Sequence, residues 1–258
     1  MGRNLLAVVT VASLLVLAGC SGSSGGGTAS PAGATETTDP GAAAIGQPVG
    51  TSEAGIENAS ALVAATGQRL TETDYAVTFV LRQGSGGQQL NVTQQVRSSL
   101  DDERRRYRFD SSGETNVVFV ADGTRHIQAT SDGETTYTSR ELGQPFADVH
   151  AVDMLDGAES LGGILRSGTF ERAGTVERDG RTLVRFDLTE FEGAGEGTTV
   201  VEANATVLVG EDGVVYSAAR HIVLEEDGTT TRFDQAFRIE TLGDVSVERP
   251  EWVERTDG

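Results

Sequence analysis

Few residues of this chain are of a type that could do chemistry, and their spacing narrows what that chemistry is. Cys20 is the one cysteine among 258 residues. A lone thiol can take a covalent modification but cannot close an intramolecular disulfide. His126, His150 and His221 are scattered and do not stand at metal-ligand spacing. There is no HExxH, no GxSxG and no phosphate-binding glycine loop, so no catalytic residue, metal site or cofactor site can be named and a non-enzyme is expected. Asn58-Ala59-Ser60, Asn91-Val92-Thr93 and Asn204-Ala205-Thr206 are acceptor sequons for N-linked glycans in a secreted chain. Arg104-Arg105-Arg106-Tyr107-Arg108 is the single basic cluster. On a strand, Arg104, Arg106 and Arg108 share one face. That face reads first as solvated and paired with carboxylates, and second as a site for an anionic headgroup or glycan.

The surroundings of Cys20 decide its chemistry. Arg3 precedes an apolar run from Leu5 to Ala18, broken only by Thr10 and Ser13, which is the length of a signal h-region. The run falls short of the roughly 20 apolar residues that a comfortable membrane span needs. Its ending, Leu17-Ala18-Gly19-Cys20, resembles the lipobox of bacterial and archaeal lipoproteins. The resemblance implies a thioether lipid on Cys20 and cleavage before it. Two lipid chains would bury many methylenes at about 0.8 kcal/mol each, enough for stable anchoring. The expected organisation is a signal peptide over 1–19, a lipid-anchored linker over 20–55 and a domain over 56–258. The expected location is the extracellular face of the cell membrane, with the lipid on Cys20 as the membrane partner.

Charge narrows the partners further. The chain carries 39 acidic and 20 basic residues, a net charge of -19, and every basic residue is arginine. Nucleic-acid binding needs a net basic face, so it is not expected. The acidic, lysine-free composition resembles proteins of halophilic archaea. At molar salt the Debye length is about 3 Å, and the self-repulsion of such a surface is largely screened.

Elements must now position these residues. Ser21 to Gly55 is rich in Ser, Gly, Thr, Ala and Pro and lacks apolar periodicity, which reads as a flexible linker. Its 35 residues would reach about 30–35 Å on average. Ile56, Ala59, Val63, Thr66 and Leu70 recur at spacings of three and four, a helix capped by Asn58 or Ser60. After Asp74 the period changes to two. Tyr75, Val77, Phe79 and Leu81 alternate with Ala76, Thr78 and Val80. After a turn at Gly84-Ser85-Gly86-Gly87, Leu90, Val92, Gln94 and Val96 continue the alternation. Further strands are expected over 104–110, 116–121, 125–130 and 135–139, with three long ones over 198–209, 214–225 and 229–241. Asp-Gly pairs at 122–123, 132–133, 179–180, 212–213 and 227–228 stand between alternating segments. Both central residues of a type I′ hairpin turn need positive φ, which Asp-Gly supplies, so these pairs argue for an antiparallel meander. Between Val149 and Arg166 a broken helical pattern contains Gly157, Gly162 and Gly163. It reads as a helix packed on the sheet, or as a flap over an opening.

The expected fold class is therefore α+β and mostly β: a curved antiparallel sheet or incomplete β-barrel meander, with an N-terminal helix and a central helical insertion packed on it. This order of elements resembles the LolA/LppX-like superfamily of lipoprotein carriers. The ending Val245-Ser246-Val247-Glu248-Arg249-Pro250-Glu251-Trp252 is similar to the closing strand and Pro-aromatic tail of that superfamily. The resemblance implies an apolar or amphipathic ligand, a lipid or a lipidated protein, held in the curved sheet. Tyr75, Val77, Phe79, Leu81, Phe233, Phe237 and Ile239 would line the site, or else form ordinary core. In the second case the domain is a structural or protein-interaction module of the cell envelope with a filled core.

Overall fold

Hairpin turns set the architecture. In the computed structural model, which describes residues 46–152 and 154–256, four of the Asp-Gly pairs carry positive φ at both residues. They join β3 to β6 (Arg104–Ser111, Glu114–Ala121, Thr124–Ser131, Glu134–Glu141), β7 to β8 (Gly168–Arg178, Arg181–Phe191) and β10 to β11 (Val215–Glu226, Thr229–Leu242), β3 turning into β4 at Gly113. The fifth pair behaves differently. Asp212 is not in the positive-φ region; the chain turns at Gly210, whose carbonyl accepts from the Gly213 N–H at 3.0 Å, and the Asp212 carboxylate accepts from the Val214 N–H at 3.1 Å. This wider turn joins β9 (Thr199–Val209) to β10.

The strands β1 (Tyr75–Ser85) to β6 form one antiparallel meander and β7 to β11 a second. The first and last strands, β1 and β11, pair in the middle, giving one sheet in the order β6-β5-β4-β3-β2-β1-β11-β10-β9-β8-β7, with β2 spanning Gln88–Ser99. The sheet is curved and open, because β6 and β7 lie at its two edges. The chain therefore runs from one edge to the other between β6 and β7, and α2 (Phe146–Val152) and α3 (Met154–Leu165) make that passage.

These helices and α1 (Ala59–Thr71) cover one face of the sheet, hereafter the helix face. Asn58 caps α1, its side-chain oxygen accepting from the Ala61 N–H at 3.0 Å. Leu62, Thr66 and Leu70, one turn apart, are the buried stripe, while Ile56, Ala59 and Val63 flank it. Burial of each leucine contributes about 1.5–3 kcal/mol. Thr66 also ties helix to sheet: its hydroxyl donates to the Leu62 carbonyl at 2.8 Å and accepts from the Val215 N–H at 2.9 Å. Val149, Leu161, Ile164 and Leu165 are buried, so the insertion is packed down at these positions. With Phe170, Phe186, Val207, Val209 and Phe237 the helix residues Leu161, Ile164 and Leu165 close the main core.

The opposite face carries a smaller core. The tail from Val245 to Pro250 pairs with no strand, which corrects the expectation of a closing strand. It is a strap. Val245, Val247 and Val253 pack with Ala76, Phe119 and Ala121, and Trp252 lies against them. The strap ends in a 3-10 turn, Glu251–Thr256, fixed by the Thr256 hydroxyl to His126 at 2.7 Å and by the Ser139 hydroxyl to the Thr256 carbonyl at 3.1 Å. The folded region also begins before Ile56. Thr51 bridges to Ile56 and Gly55 to Glu171, so this segment lies along the edge of β7.

Candidate functional site

Strand register assigns side chains to faces. Alternation along β1 puts Tyr75, Val77, Phe79 and Leu81 on the helix face and Ala76, Thr78, Val80 and Arg82 on the strap face. The candidate apolar residues thus do share a face. Phe79 lies opposite Phe237, Val77 opposite Ile239, and Phe233 is two rows further along β11 than Gln235, the partner of Leu81. Tyr75, Phe79, Phe237 and Ile239 are buried, and Val77, Leu81 and Phe233 are half-buried. The gradient runs along the strands, from a helix-covered end at Tyr75 and Ser98 to a more open end at Leu81, Phe233 and Leu90.

Two cavities lie on the strap face. The first, of about 500 Å³, crosses β9, β10, β11 and β1. One row of register partners, Val80, Ala236, Ala219 and Thr206, forms its floor, and the next row, Arg82, Asp234, His221 and Asn204, forms its rim. Alanine at 219 and 236 is what leaves the trough open, since longer side chains there would fill it. His221 Nδ1 stands 2.5 Å from Asp234 Oδ1, and its Nε2 is 3.6 Å from Glu202. An apolar floor with a polar rim of both charges suits an amphipathic guest. The second cavity, of about 440 Å³, is lined by Thr78, Gln95, Arg97, Arg106, Arg108 and Glu240, among others. Val77 also borders it, and no other residue of the apolar set does.

Cys20 and the segment around it lie outside the described residues. Asn58, Asn91 and Asn204 are all exposed. Asn58 is engaged as the helix cap, and Asn204 donates to Glu202 at 2.9 Å on the rim of the first trough. The arginine cluster divides between faces. Arg105 is buried on the helix face and donates to the carbonyls of Val149 and His150 at 3.0 and 3.3 Å, satisfying the end of α2. Arg108 forms a two-point pair with Asp110 on the other face, at 2.6 and 2.8 Å. This hydrogen bond raises the pKa of Arg108 and lowers that of Asp110. His150 is buried between Ser98 and the Leu70 carbonyl. Among the described residues no group of His, Cys, Asp and Glu stands close enough to hold a metal ion. The alanine-floored trough was not singled out from sequence. Its signal was there in Val80, Ala219 and Ala236, small apolar residues at positions where alternation calls for an outward polar one.

The fold and these troughs define a class: a mostly β protein built on an open antiparallel sheet with helices on one face and cavities on the other. The chain belongs to the family described as "Family of unknown function (DUF7537)", whose pattern matches residues 5–256. No curated protein matches it. Among solved structures it is similar to LprF from Mycobacterium bovis, at 10% identity and a TM-score of 0.33, over 77% of this chain and 98% of that one. It is similar to a DUF1329 family protein from Desulfovibrio piger, at 11% identity and a TM-score of 0.25, over 70% of this chain and 91% of that one. It is also similar to the Pseudomonas aeruginosa MucA/MucB complex structure, at 17% identity and a TM-score of 0.29, over 75% of this chain and 59% of that one.

Proposed function

We propose that this protein is a non-catalytic binding module, lipid-anchored through Cys20 on the outer face of the cell membrane, which holds an amphipathic ligand against its open sheet. One observation carries the binding: the trough of about 500 Å³ with a floor of Val80, Ala219 and Ala236 and a charged rim. That volume falls within the roughly 300–1,000 Å³ of small-molecule sites, and the lining combines apolar area with a few polar groups that would fix orientation. The anchoring rests on Leu17-Ala18-Gly19-Cys20. A lipid or the acyl chain of a lipidated protein has the matching chemistry.

The test is native mass spectrometry of the full chain carrying Cys20→Ser, purified from its host in high salt and exchanged into a volatile salt of similar strength. The substitution keeps a covalent lipid from confusing the mass. A co-purifying mass of lipid size, lost in Ala219→Arg, is expected. A bare polypeptide after incubation with host lipids overturns the reading.

A second reading, a protein-interaction module, has its own observation. β9 pairs with β8 only over Thr206–Val209, so Thr199–Ala205 has no ladder on that side among the described residues, and Val200 and Val201 are exposed there. An extended peptide could add to that edge. Loss of partner capture in Val201→Pro, with lipid binding intact, would select this reading.

A further inference from the structure

The second cavity on the strap face has a feature that the chain's composition makes unusual. Arg97 on β2 stands directly opposite Arg106 on β3. Like charges at opposed positions repel, and a sheet normally avoids them. In a chain with 39 acidic residues, carboxylates to neutralise such a pair are abundant. Yet among the described residues neither guanidinium forms an ion pair or a side-chain hydrogen bond. The neighbouring arginines are different. Arg108 is held by both oxygens of Asp110, which also accepts from the Thr115 hydroxyl at 2.8 Å. Arg238 pairs with Glu240 at 3.3 Å, which neutralises the one carboxylate that borders the cavity. Two unneutralised positive charges therefore remain, both facing a space of about 440 Å³.

The rest of the lining completes a receptor for an oxyanion. Thr78 and Gln95 add a hydroxyl and an amide, both able to donate. The floor residue Ala76 is packed beneath the strap with Val245 and Val247, so the wall on that side is fixed. Two guanidinium groups lining one cavity from opposed positions on adjacent strands suit the oxygens of phosphate, where bidentate contacts are favourable. We propose that this cavity binds a phosphate group through Arg97 and Arg106, with Thr78 and Gln95 as neutral donors. The site is separate from the alanine-floored trough and does not depend on it. A free phosphate and the phosphodiester of a lipid headgroup share this chemistry.

The experiment uses the full chain with Cys20→Ser, which removes the lipid, and the phosphatidylcholine vesicles control for binding through the apolar run Leu5 to Ala18. Thermal unfolding is followed with inorganic phosphate replacing chloride at constant ionic strength, and co-sedimentation is measured with phosphatidylglycerol vesicles against phosphatidylcholine vesicles. The expected result is a phosphate-dependent rise in Tm, preferential sedimentation with phosphatidylglycerol, or both. Arg97→Gln with Arg106→Gln should weaken either effect at least tenfold. The first effect alone identifies free phosphate as the ligand, and the second identifies a headgroup. The double variant relieves a like-charge contact, so its own Tm without phosphate should match or exceed that of the parent. Absence of both effects overturns the proposal. So does a double variant that binds as well as the parent, or one whose ligand-free Tm falls.

Discussion

The hydroxyl of Ser98 lies 2.6 Å from Nδ1 of His150, joining β2 to α2 across 52 residues of sequence. The other ring nitrogen stands 2.9 Å from the Leu70 carbonyl, which can only accept. Nε2 therefore carries a proton, and because burial disfavours the charged ring, Nδ1 is left to accept from Ser98. A serine beside a histidine resembles a nucleophile with its base. Here Ser98 and His150 are both at most 1% exposed, and no substrate could approach. The pair instead pins α1, α2 and the sheet at one point, with the Tyr75 ring 5.0 Å from the imidazole.

Acid should loosen this point. Burial lowers the pKa of His150 against the opposing Leu70 carbonyl. The charge of Arg105 lowers it further, while the Asp74 carboxylate and the Thr73 backbone raise it, and the net shift is downward. The unfolded chain takes up a proton near the ordinary value of about 6.5, while the folded chain resists. The stabilisation is thus present in full above about pH 6.5 and is lost as the pH falls below it. Tm should drop between pH 7.5 and 5.5, and His150→Gln should flatten that slope. An identical slope in the variant would place the titration elsewhere.

Removal of the hydroxyl tests the same contact from its other side. Ser98→Ala leaves Nδ1 of a buried imidazole without a donor, at a cost of about 1–3 kcal/mol. Chemical denaturation should show that loss. A change below about 0.5 kcal/mol would mean that water or another donor replaces the hydroxyl.

Much of this fold was legible because local chemistry and tertiary structure agree. Asn58 caps a helix in isolation as it does here, and four of the five Asp-Gly pairs make the tight turn that their local chemistry favours. What was hidden depends on register or on backbone contact. Arg97 and Arg106 are nine positions apart, and only the four-residue turn Leu100–Glu103 sets them face to face. Ala219 and Ala236 are unremarkable until pairing places them side by side with Val80. The alternation Val245, Val247 reads as a strand because a strap packed on an apolar patch also buries every second residue. Thr51 and Gly55 engage through backbone bonds, which leave no trace in side-chain periodicity. Leu62, rather than Ile56, heads the buried stripe of α1 because the helix starts only after Asn58.

Gly55 makes the close approach at the edge of β7 directly testable. A Cβ at this position would lie 1.9 Å from the Phe170 carbonyl oxygen, which is backbone and cannot move aside. That carbonyl accepts from the Ile56 N–H at 3.1 Å. Gly55→Ala should cost about 1–3 kcal/mol and raise amide exchange at Ile56 and Arg172. Unchanged exchange would mean that this segment does not hold the edge.

The strap should matter as much as the helices. Phe119 is fully buried beneath it, and Phe119→Ala should cost about 3–5 kcal/mol. Truncation after Leu242 leaves the sheet pairs intact but uncovers Ala76, Phe119 and Ala121. The shortened chain should bind a hydrophobic dye and self-associate, with far-ultraviolet circular dichroism nearly unchanged. A monomeric, dye-negative truncation would show the strap to be dispensable.

Salt should govern whether any of this structure persists. The charge of -19 already counts every arginine, and the ion pairs Arg108–Asp110, Arg185–Asp187 and Arg238–Glu240 are each local and partly exposed. Such pairs contribute at most about 1 kcal/mol each. The remaining carboxylates repel one another over a Debye length of about 30 Å at 0.01 M salt, comparable to the domain itself, but over only about 3 Å at 1 M. Repulsion at low salt is therefore summed over most of the surface and opposes the compact state. Circular dichroism at a few millimolar salt should report loss of the β signal, and its return on addition of molar sodium chloride. A spectrum that stays folded through dialysis would mean that the two cores outweigh the full unscreened charge.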